Sequence, residues 1–411
     1  MGFSKESLYT TMASKESLFN LTFLLIIMSS FWGSAALETL NQGDVLNSSQ
    51  YLVSANRSFN LGFYKFDPDN NNNSYLGIRY KDISNHAVWI ANRDRPILDA
   101  ASGFLTVDHL GKLIIKYSGG DLVVIYSGET ESVANTSVTL TLLDTGNLVL
   151  REVMSNGSIG RVLWESFDHP TDTLLPGMKL GVNHKTGRNW SLTSWLAPSE
   201  PASGAFTLEW EPKAGRLVIK RRGVAYWSSG LGLSSDHTFS FEYISNSKGP
   251  VYIIKNVTDA DGEYFTYSLD VNSYSFYDLN DTGKWAWQLD NEGSLWNSKR
   301  LIMNTLFCYG YGAEEGCETW KQPTCRNHNQ KFDLRSGGFQ GPNELINTSD
   351  QNASTGDCRA DCWNSCDCVG YRVSSSGTGC ISWKGELQFV QDLSGAAVQL
   401  YVLITEPPNK G

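Results

Sequence analysis

The sequence predicts a mainly β protein built from small sheets, with a disulfide-rich module near its C-terminal end. Short apolar segments alternate with turn residues from 45 to 150, and the breaks come at roughly ten-residue intervals, as in all-β domains. A second β-rich region with the same pattern runs from about 188 to 300. All eight cysteines lie between 308 and 380, which sets this part apart from a cysteine-free remainder.

The composition excludes several classes of function. The 411 residues are enough for roughly two to four domains with their own cores. A hydrophobic fraction of 41% with only 18% charged residues indicates a folded chain. The net charge of −10 argues against a binder of nucleic acid or of anionic membranes, because both need a basic face.

Residues 1–36 have the features of a secretory signal peptide. Lys5 and Lys15 precede the apolar run FNLTFLLIIMSSFWGSAA, which ends in small residues, and Ala36 fits a cleavage point. A membrane anchor is the alternative, and the shortness of the run favours cleavage. No later stretch approaches a transmembrane length, so we expect a soluble mature chain from 37 onward with no membrane span.

Two further features agree with secretion. The sequence outside the leader contains ten Asn-X-Ser/Thr sequons, which favours a glycosylated extracellular surface. The sequons are at Asn47, Asn56, Asn72, Asn135, Asn156, Asn189, Asn256, Asn280, Asn347 and Asn352. The closely spaced cysteines Cys358, Cys362, Cys366 and Cys368 could be interpreted as zinc ligands, but a secretory context favours disulfides. We therefore expect no metal and no cofactor.

An internal repeat predicts the architecture of the N-terminal part. SFNLGFYKF (58–66), LGKLIIKYS (110–118) and TGNLVLREV (145–153) each place turn residues before a Leu-X-apolar-apolar strand. Each unit is too small to bury its apolar face alone, so the three together predict a prism of three small sheets. In the third unit Gly146 supplies the positive φ that the turn needs.

Long motifs in a fixed order resemble a known family. VSANRSFNLGF, YLGIRYKDI, VWIANRDRPI and LLDTGNLVLRE resemble the bulb-type lectin domain of plant G-type lectin S-receptor-like kinases and S-locus glycoproteins. LWESFDHPTDTLLPGMKLG and SLTSWLAPSEPASGAFTLEW resemble their S-locus segment, and DCRADCWNSCDCVGYRVSSSGTGCISWKGEL resembles their PAN/apple module. The resemblance covers nearly the whole mature chain and implies the extracellular region of such a receptor, without the kinase.

The resemblance implies two tandem β-prism (bulb-lectin-like) domains followed by a small disulfide-rich PAN/apple module. We place the signal peptide at 1–36, the bulb-type lectin domain at 37–160, the S-locus glycoprotein domain at 161–305, a degenerate EGF-like linker at 306–340, the PAN/apple domain at 341–405 and a tail at 406–411. The linker has fewer cysteines than the EGF-like region of the family, which argues against an EGF fold. By resemblance Cys358 pairs with Cys380, Cys362 pairs with Cys368, and Cys366 pairs with Cys308, Cys317 or Cys325.

Bulb lectins bind mannose through a strand pattern Gln-X-Asp-X-Asn-X-Val-X-Tyr, in which the polar side chains bond the sugar hydroxyls. Asn147 and Val149 of the third repeat match this pattern, while Leu143, Thr145 and Arg151 replace the other positions. Each missing buried partner costs on the order of 1–3 kcal/mol, so Asn147 and Val149 are only remnants of a carbohydrate site and we expect no ordinary mannose binding. The second repeat offers Asp108, Leu110, Lys112, Ile114 and Lys116, and the first offers Asn56, Ser58, Asn60, Gly62 and Tyr64.

The sequence contains no catalytic constellation that we recognise. Asp168, His169 and Asp172 gather in DHPTD, and we interpret them as turn and capping residues beside prolines. GLGLSSD (230–236) and GYGAEEG (310–316) lack the lysine of a phosphate loop, and no HExxH, HRD or DFG sequence occurs. We therefore expect a protein that is not an enzyme.

Taken together, the residues and the resemblance predict a secreted or ectodomain-only recognition protein of the plant cell surface. Its ligand would be a peptide, a protein or a glycan, with roles in pollen recognition or defence by family analogy. It would form a homodimer or pair with a full-length S-domain receptor kinase. One alternative is a secreted carbohydrate-binding defence lectin. Another is a fragment of a membrane receptor serine/threonine kinase, at the outer face of the plasma membrane.

Overall fold

A computed structural model describes the chain from 37 to 405. It leaves out 68–71, 82–85, 100, 129–136, 230–251, 270–285, 298–299, 304, 306–307, 309–315, 319–322, 328, 342–344, 349–351, 375–376 and 395–397. The described residues from Glu38 onward form a single unit by their contacts. The predicted signal peptide at 1–36 and the tail at 406–411 lie outside the described residues. In the described part, no helix has the length and apolar character needed to cross a membrane.

The first part of the described chain is a prism of three four-stranded antiparallel sheets, as the internal repeat predicts. In spatial order, the first sheet contains β3 (Leu52–Val53), β4 (Phe59–Tyr64), β5 (Tyr75–Tyr80) and β6 (Trp89–Ile90). The second contains β2 (Val45–Asn47), β7 (Phe104–Val107), β8 (Leu113–Lys116) and β9 (Val123–Tyr126). The third contains β1 (Thr39–Asn41), β10 (Ser137–Leu142), β11 (Leu148–Val153) and β12 (Ile159–Glu165).

The alternation of side chains along each strand explains how these small sheets share one core. Leu61 on β4, Ile115 on β8 and Leu150 on β11 come from the three repeats, and each is 0% exposed. The turn before β11 requires a glycine. Gly146 has φ of 85°, and a Cβ there would lie 2.7 Å from Cδ1 of Leu175. This turn is therefore packed tightly against the start of the next domain.

A second prism follows the short 3-10 helix Ser166–Asp168. In spatial order, its first sheet contains β13 (Thr173–Leu174), β22 (Trp287–Leu289), β23 (Leu295–Asn297) and β24 (Arg300–Met303). Its second contains β15 (Asn189–Trp190), β14 (Leu180–Asn183), β21 (Gly262–Leu269) and β20 (Tyr252–Thr258). Its third contains β16 (Leu192–Ala197), β17 (Glu200–Glu211), β18 (Arg216–Arg221) and β19 (Val224–Ser228). The core is aromatic: the Trp287 ring stacks on Tyr267 with centroids 4.7 Å apart, and Tyr252 meets both rings edge-on.

The C-terminal domain combines one six-stranded sheet with one helix. The spatial order of the sheet is β26 (Leu345–Thr348), β28 (Cys380–Lys384), β27 (Cys368–Val373), β30 (Gln399–Thr405), β25 (Gln330–Gln340) and β29 (Gln388–Gln391). Helix α1 (Thr355–Asn364) begins with a capping box. Ser354 Oγ accepts from the backbone N–H of Asp357, and the Asp357 carboxylate accepts from the backbone N–H of Ser354.

Four disulfides hold the cysteine-bearing region. They join Cys308 to Cys317, Cys325 to Cys366, Cys358 to Cys380, and Cys362 to Cys368. The last two pairs are those that the resemblance implies, and Cys325 is the partner of Cys366 among the three left open.

Strand β25 lies in a different domain from the one that the sequence boundaries suggest. Those boundaries place 330–340 within the linker at 306–340. In the structure β25 pairs with β30 from Gln330 to Ser336 and with β29 from Gly337 to Gln340. The Cys325–Cys366 bond brings the chain to this sheet just before the strand begins. The C-terminal domain therefore starts near Cys325, and backbone pairing rather than cysteine spacing sets its limit.

Arg93, three residues after β6, joins the first prism to the second. Its guanidinium donates to four backbone carbonyls of the second prism: those of Thr193 at 2.9 Å, Ser194 at 2.6 Å, Pro201 at 2.8 Å and Ala202 at 3.5 Å. A planar guanidinium with five N–H donors can serve several carbonyls at once, whereas a lysine ammonium cannot match this geometry.

Other polar contacts surround Arg93 at the junction of the prisms. His86 Nε2 lies 2.8 Å from Oδ2 of Asp172, a carboxylate that is 0% exposed. The His86 ring also stacks on Trp195, with centroids 4.5 Å apart. The carboxylate of Asp94 accepts from the backbone N–H of Ser203 at 2.7 Å and from its hydroxyl at 3.0 Å. Because buried polar groups need partners, these contacts fix the relative position of the two prisms.

The second prism is joined to the C-terminal domain through the start of α1. The Asp357 carboxylate accepts from Arg222 at 2.6 Å and from Arg221 at 3.3 Å. Gly356 lies against Phe206, and a Cβ at this glycine would come within 2.4 Å of the ring. The three folded parts therefore form one continuous body from Glu38 onward.

We expect Arg93→Ala to lower the free energy of unfolding by about 3–5 kcal/mol, because it leaves four partly buried carbonyls without their shared donor. Arg93→Lys should recover only part of the loss, since one ammonium cannot reach all four acceptors. Urea denaturation followed by tryptophan fluorescence measures the change. Arg95→Ala is the matched control, because Arg95 is exposed and its loss should cost less than about 0.5 kcal/mol. Equal losses for Arg93→Ala and Arg95→Ala would contradict this role.

Candidate functional site

The remnant of the sugar pattern in the third repeat serves the fold. Asn147 is 7% exposed, and its Nδ2 donates to Oε2 of Glu165 at 2.8 Å. Its Oδ1 accepts from the hydroxyl of Ser166 at 3.1 Å and from the backbone N–H of Phe167 at 3.2 Å. Both ends of this amide are engaged inside the protein, so Asn147 holds the turn before β11 against the 3-10 helix. Its Oδ1 and one N–H of its Nδ2 are therefore already bonded within the protein.

The neighbouring positions of the third repeat present little polar surface. Val149 is 1% exposed and lies between Thr141 and Glu165 in the sheet. Thr145 is exposed, and its hydroxyl is 3.4 Å from the backbone N–H of Asn147. Arg151 has a buried Nε with no hydrogen-bond partner among the described residues. The constellation lacks the convergent acceptors that a sugar needs.

In the first repeat, other side chains cover the corresponding face. Asn60, Gly62 and Tyr64 alternate along β4, as the pattern requires. The Arg79 guanidinium lies 3.9 Å from the centroid of the Tyr64 ring. The Tyr51 ring lies over Gly62, where a Cβ would approach it to 2.5 Å. Burial raises the pKa of Tyr64 despite the opposing charge of Arg79, so the phenol stays neutral, and its hydroxyl donates to the Asn60 carbonyl at 3.2 Å.

The second repeat places its one acidic candidate in a turn. The Asp108 carboxylate accepts from the backbone N–H groups of Leu110 at 2.8 Å and Lys112 at 2.9 Å. Ile114 is 2% exposed, and Leu110 is 55% exposed. The outward face of this repeat therefore carries two lysines and apolar groups in place of hydrogen-bond acceptors.

Sequence reasoning missed the two residues that cover the first repeat. Tyr51 and Arg79 lie outside the five-position pattern. Tyr51 reaches its face from the position just before β3, and Arg79 reaches it from β5. One signal was available: Arg79 occupies an outward position of β5, directly opposite Asn60 on β4. The register of the hairpin places Arg79 opposite Asn60, and the sequence does not fix that register uniquely.

Asp168, His169 and Asp172 of the DHPTD segment each make a separate structural contact. Asp168 Oδ1 accepts from the indole of Trp190 at 3.0 Å, the His169 carbonyl accepts from the indole of Trp89 at 2.9 Å, and Asp172 faces His86. The described residues contain no group of three side chains arranged to hold a metal ion. This segment is a connector that ties indole rings to the junction between the prisms.

Several predicted sequons have a local geometry suited to glycosylation. Asn47, Asn56, Asn72 and Asn156 are exposed, and in each the amide oxygen accepts a hydrogen bond. In Asn47 and Asn156 the donor is the sequon serine, at 2.7 Å from its hydroxyl. Glycosylation substitutes Nδ2 and leaves Oδ1 in place, so these contacts are compatible with a glycan. Asn135 and Asn280 lie outside the described residues.

Comparison with known proteins defines the class of this molecule. Residues 86–196 match the family model described as D-mannose binding lectin, and residues 325–389 match a PAN-like domain. The second match begins at Cys325, as the C-terminal domain does in the structure. Among solved structures, Japanese Marasmius oreades lectin shares 14% identity over 32% of this chain and 92% of its own, with a TM-score of 0.24. The chain thus joins a lectin-type domain to a PAN-like domain.

Curated relatives show which full-length proteins the chain resembles. G-type lectin S-receptor-like serine/threonine-protein kinase CES101 of Arabidopsis thaliana is 37% identical over 84% of this chain and 43% of its own length. An S-locus-specific glycoprotein of Brassica oleracea var. alboglabra is 29% identical over 93% of this chain and 95% of its own. Over most of its length the chain is similar to G-type lectin S-receptor-like kinases and to S-locus-specific glycoproteins. The chain spans less than half the length of this kinase relative.

We expect Asn147→Ala to lower the free energy of unfolding by about 1–3 kcal/mol, because it leaves the buried partners of the amide unpaired. Thr145→Ala in the same turn is the control and should cost less than about 0.5 kcal/mol. Urea denaturation of both variants measures the difference. If Asn147→Ala is as stable as Thr145→Ala, the amide does not hold the turn as described.

His169 should make stability depend on pH. Burial, assisted by the charge of Arg188, lowers the pKa of His169 to about 4. The unfolded chain takes up this proton near pH 6.5 and the folded chain does so only near pH 4, so stability falls as the pH drops through this window. We expect a loss of about 1–2 kcal/mol, allowing for partial exposure. Urea unfolding of wild type and His169→Gln between these limits measures it, and identical slopes for the two would contradict it.

Proposed function

We propose that this chain is a non-catalytic extracellular recognition protein that binds a peptide, protein or glycan ligand at the plant cell surface. The observation that carries the proposal is the state of the three sugar-pattern faces. In the third repeat the Asn147 amide is hydrogen-bonded within the protein, in the second the Asp108 carboxylate bonds its own turn, and Tyr51 and Arg79 cover the first. A lectin fold without presented sugar ligands is a scaffold whose loops and outer faces are available for another partner.

The joined domains support recognition of a large ligand. Arg93 and Asp357 fasten the prisms and the PAN-like domain into one body, so a partner that contacts more than one domain meets preset geometry. Preorganisation of this kind raises affinity because little ordering remains to be done on binding. Partners of this body would be a second copy of the chain or a full-length S-domain receptor kinase.

Two forms of the protein follow from its relatives. The match over 95% of an S-locus-specific glycoprotein supports a secreted recognition protein. The 37% identity to a receptor-like kinase supports the ectodomain of a membrane receptor. Sequencing of the transcript beyond the codon for Gly411 separates them, since a receptor requires an apolar segment of about 20 residues followed by kinase motifs.

A secreted defence lectin is the competing function, and one experiment separates it from protein recognition. A mannose site with an affinity of about 1 mM would stabilise the folded protein by about 1.4 kcal/mol at 10 mM methyl α-mannoside. We expect no such stabilisation in a thermal-shift assay, and clear stabilisation of a mannose-binding bulb lectin run as the positive control. Stabilisation of the wild-type chain by the mannoside would favour the defence lectin.

The recognition function itself is tested on plant membranes. The secreted protein, immobilised and crosslinked on leaf or stigma microsomes, should capture a membrane-bound S-domain receptor kinase detectable by mass spectrometry. Heat-unfolded protein on the same support is the control for nonspecific adhesion. Repeated failure to enrich any such kinase over that control would overturn the pairing.

A further inference from the structure

A cleft of about 440 Å³ opens in the first prism beside the sequon asparagine Asn72. Its lining includes Phe63, Lys65, Asn72 and Asp99. None of the sugar-pattern positions of the three repeats lines it, so the cleft is separate from the faces described above. Its volume falls within the range of small-ligand sites, about 300–1,000 Å³.

The lining has the chemistry of a sugar seat. Phe63 is 8% exposed and supplies an apolar floor, and Gly103 beside it carries no side chain that would cover the ring. Lys65 and Asp99 are exposed at the rim and supply a donor and an acceptor. A sugar packs its C–H face on an aromatic ring and bonds its hydroxyls to charged groups at the edge, so this combination favours a pyranose.

The orientation of the Asn72 side chain indicates what occupies the cleft. Its Oδ1 accepts from the Lys65 ammonium at 3.1 Å, and its Nδ2 makes no hydrogen bond with any described residue. A glycan attaches at Nδ2 and leaves the Lys65 contact intact. We propose that the cleft seats the first sugars of the N-linked glycan carried by Asn72 itself, packed on Phe63 and bonded by Lys65 and Asp99.

Covalent attachment makes weak contacts sufficient. A tethered sugar has an effective concentration in the millimolar range or above, so a site whose dissociation constant is about tenfold below that concentration is largely occupied. A free monosaccharide from outside would have to displace this tethered sugar. The seated glycan would thus become part of the surface of the first prism, and the cleft would be closed to other ligands.

Asn156 provides a control on the same molecule. It is exposed in the turn between β11 and β12, with its Oδ1 bonded to Ser158. Its neighbour Gly157 has open space on the side where a Cβ would lie. A glycan on Asn156 therefore leaves the protein directly into solvent. The ratio of the rates at which the two glycans are released compares a bound sugar with a free one within one folded molecule.

The test is a time course of deglycosylation on the native secreted protein. Peptide:N-glycosidase acts at the bond to Nδ2, and mass spectrometry of the glycopeptides follows Asn72 and Asn156 separately. We expect release from Asn72 to be at least tenfold slower than from Asn156, which corresponds to a seat worth about 1.4 kcal/mol. The double variant Lys65→Ala/Asp99→Ala should bring the two rates to within about twofold.

Three results would overturn the proposal. The first is an Asn72 that carries no glycan while Asn156 does. The second is equal release from both sites in the wild-type protein. The third is slow release from Asn72 that persists in the double variant, because protection would then come from elsewhere. Both substituted side chains are exposed, and the Asn156 rate together with the thermal midpoint shows that the variant is folded.

Discussion

The architecture depends on one arginine that fills gaps left by an irregular sheet. The pairing of β16 with β17 shifts register on both sides of Trp195, and such bulges leave backbone groups outside the ladder. Arg93 approaches this stretch from the first prism and takes the carbonyls of Thr193 and Ser194. These carbonyls of the second prism are therefore bonded by a side chain of the first.

The C-terminal domain uses the same physical solution. Helix α1 ends at Asn364, and the last carbonyls of a helix have no partners within it. Arg326 donates to the carbonyls of Cys362 and Trp363 within the helix and of Ser365 and Cys368 just beyond it, at 2.6–3.0 Å. The Cys325–Cys366 bond holds Arg326 beside this helix end. The disulfide thus positions a guanidinium as well as closing a loop.

Local patterns were enough to predict the sheets, and distant partners explain what they did not predict. Alternation and turn residues are properties of neighbours in sequence, so the three repeats indicate the first prism directly. Arg93 belongs to the motif VWIANRDRPI, but its acceptors lie 100 or more residues away in the sequence, and no local signal identifies them. The resemblance supplied the second prism and the two disulfides within the cluster.

The candidate site shows the same difference between what local patterns predict and what distant partners determine. Asn147 matches a sugar-binding position, yet Glu165 and Ser166, some twenty residues later, decide what its amide does. Arg79 covers the first repeat because of hairpin register rather than any motif. A pattern match specifies which atoms are present at a strand face. Only the fold specifies whether those atoms are already bonded within the protein, as the amide of Asn147 is.

Asp357 gives the C-terminal junction a property of its own. The same carboxylate starts helix α1 and receives Arg221 and Arg222 from the second prism. Burial alone would raise the pKa of Asp357, but the hydrogen bonds from Arg222 and Ser354 outweigh it and hold the pKa below its usual value. Helix initiation and domain docking thus share a single negative charge. A PAN-like domain excised from this chain would keep its disulfides but lose part of the reason for its helix to begin where it does.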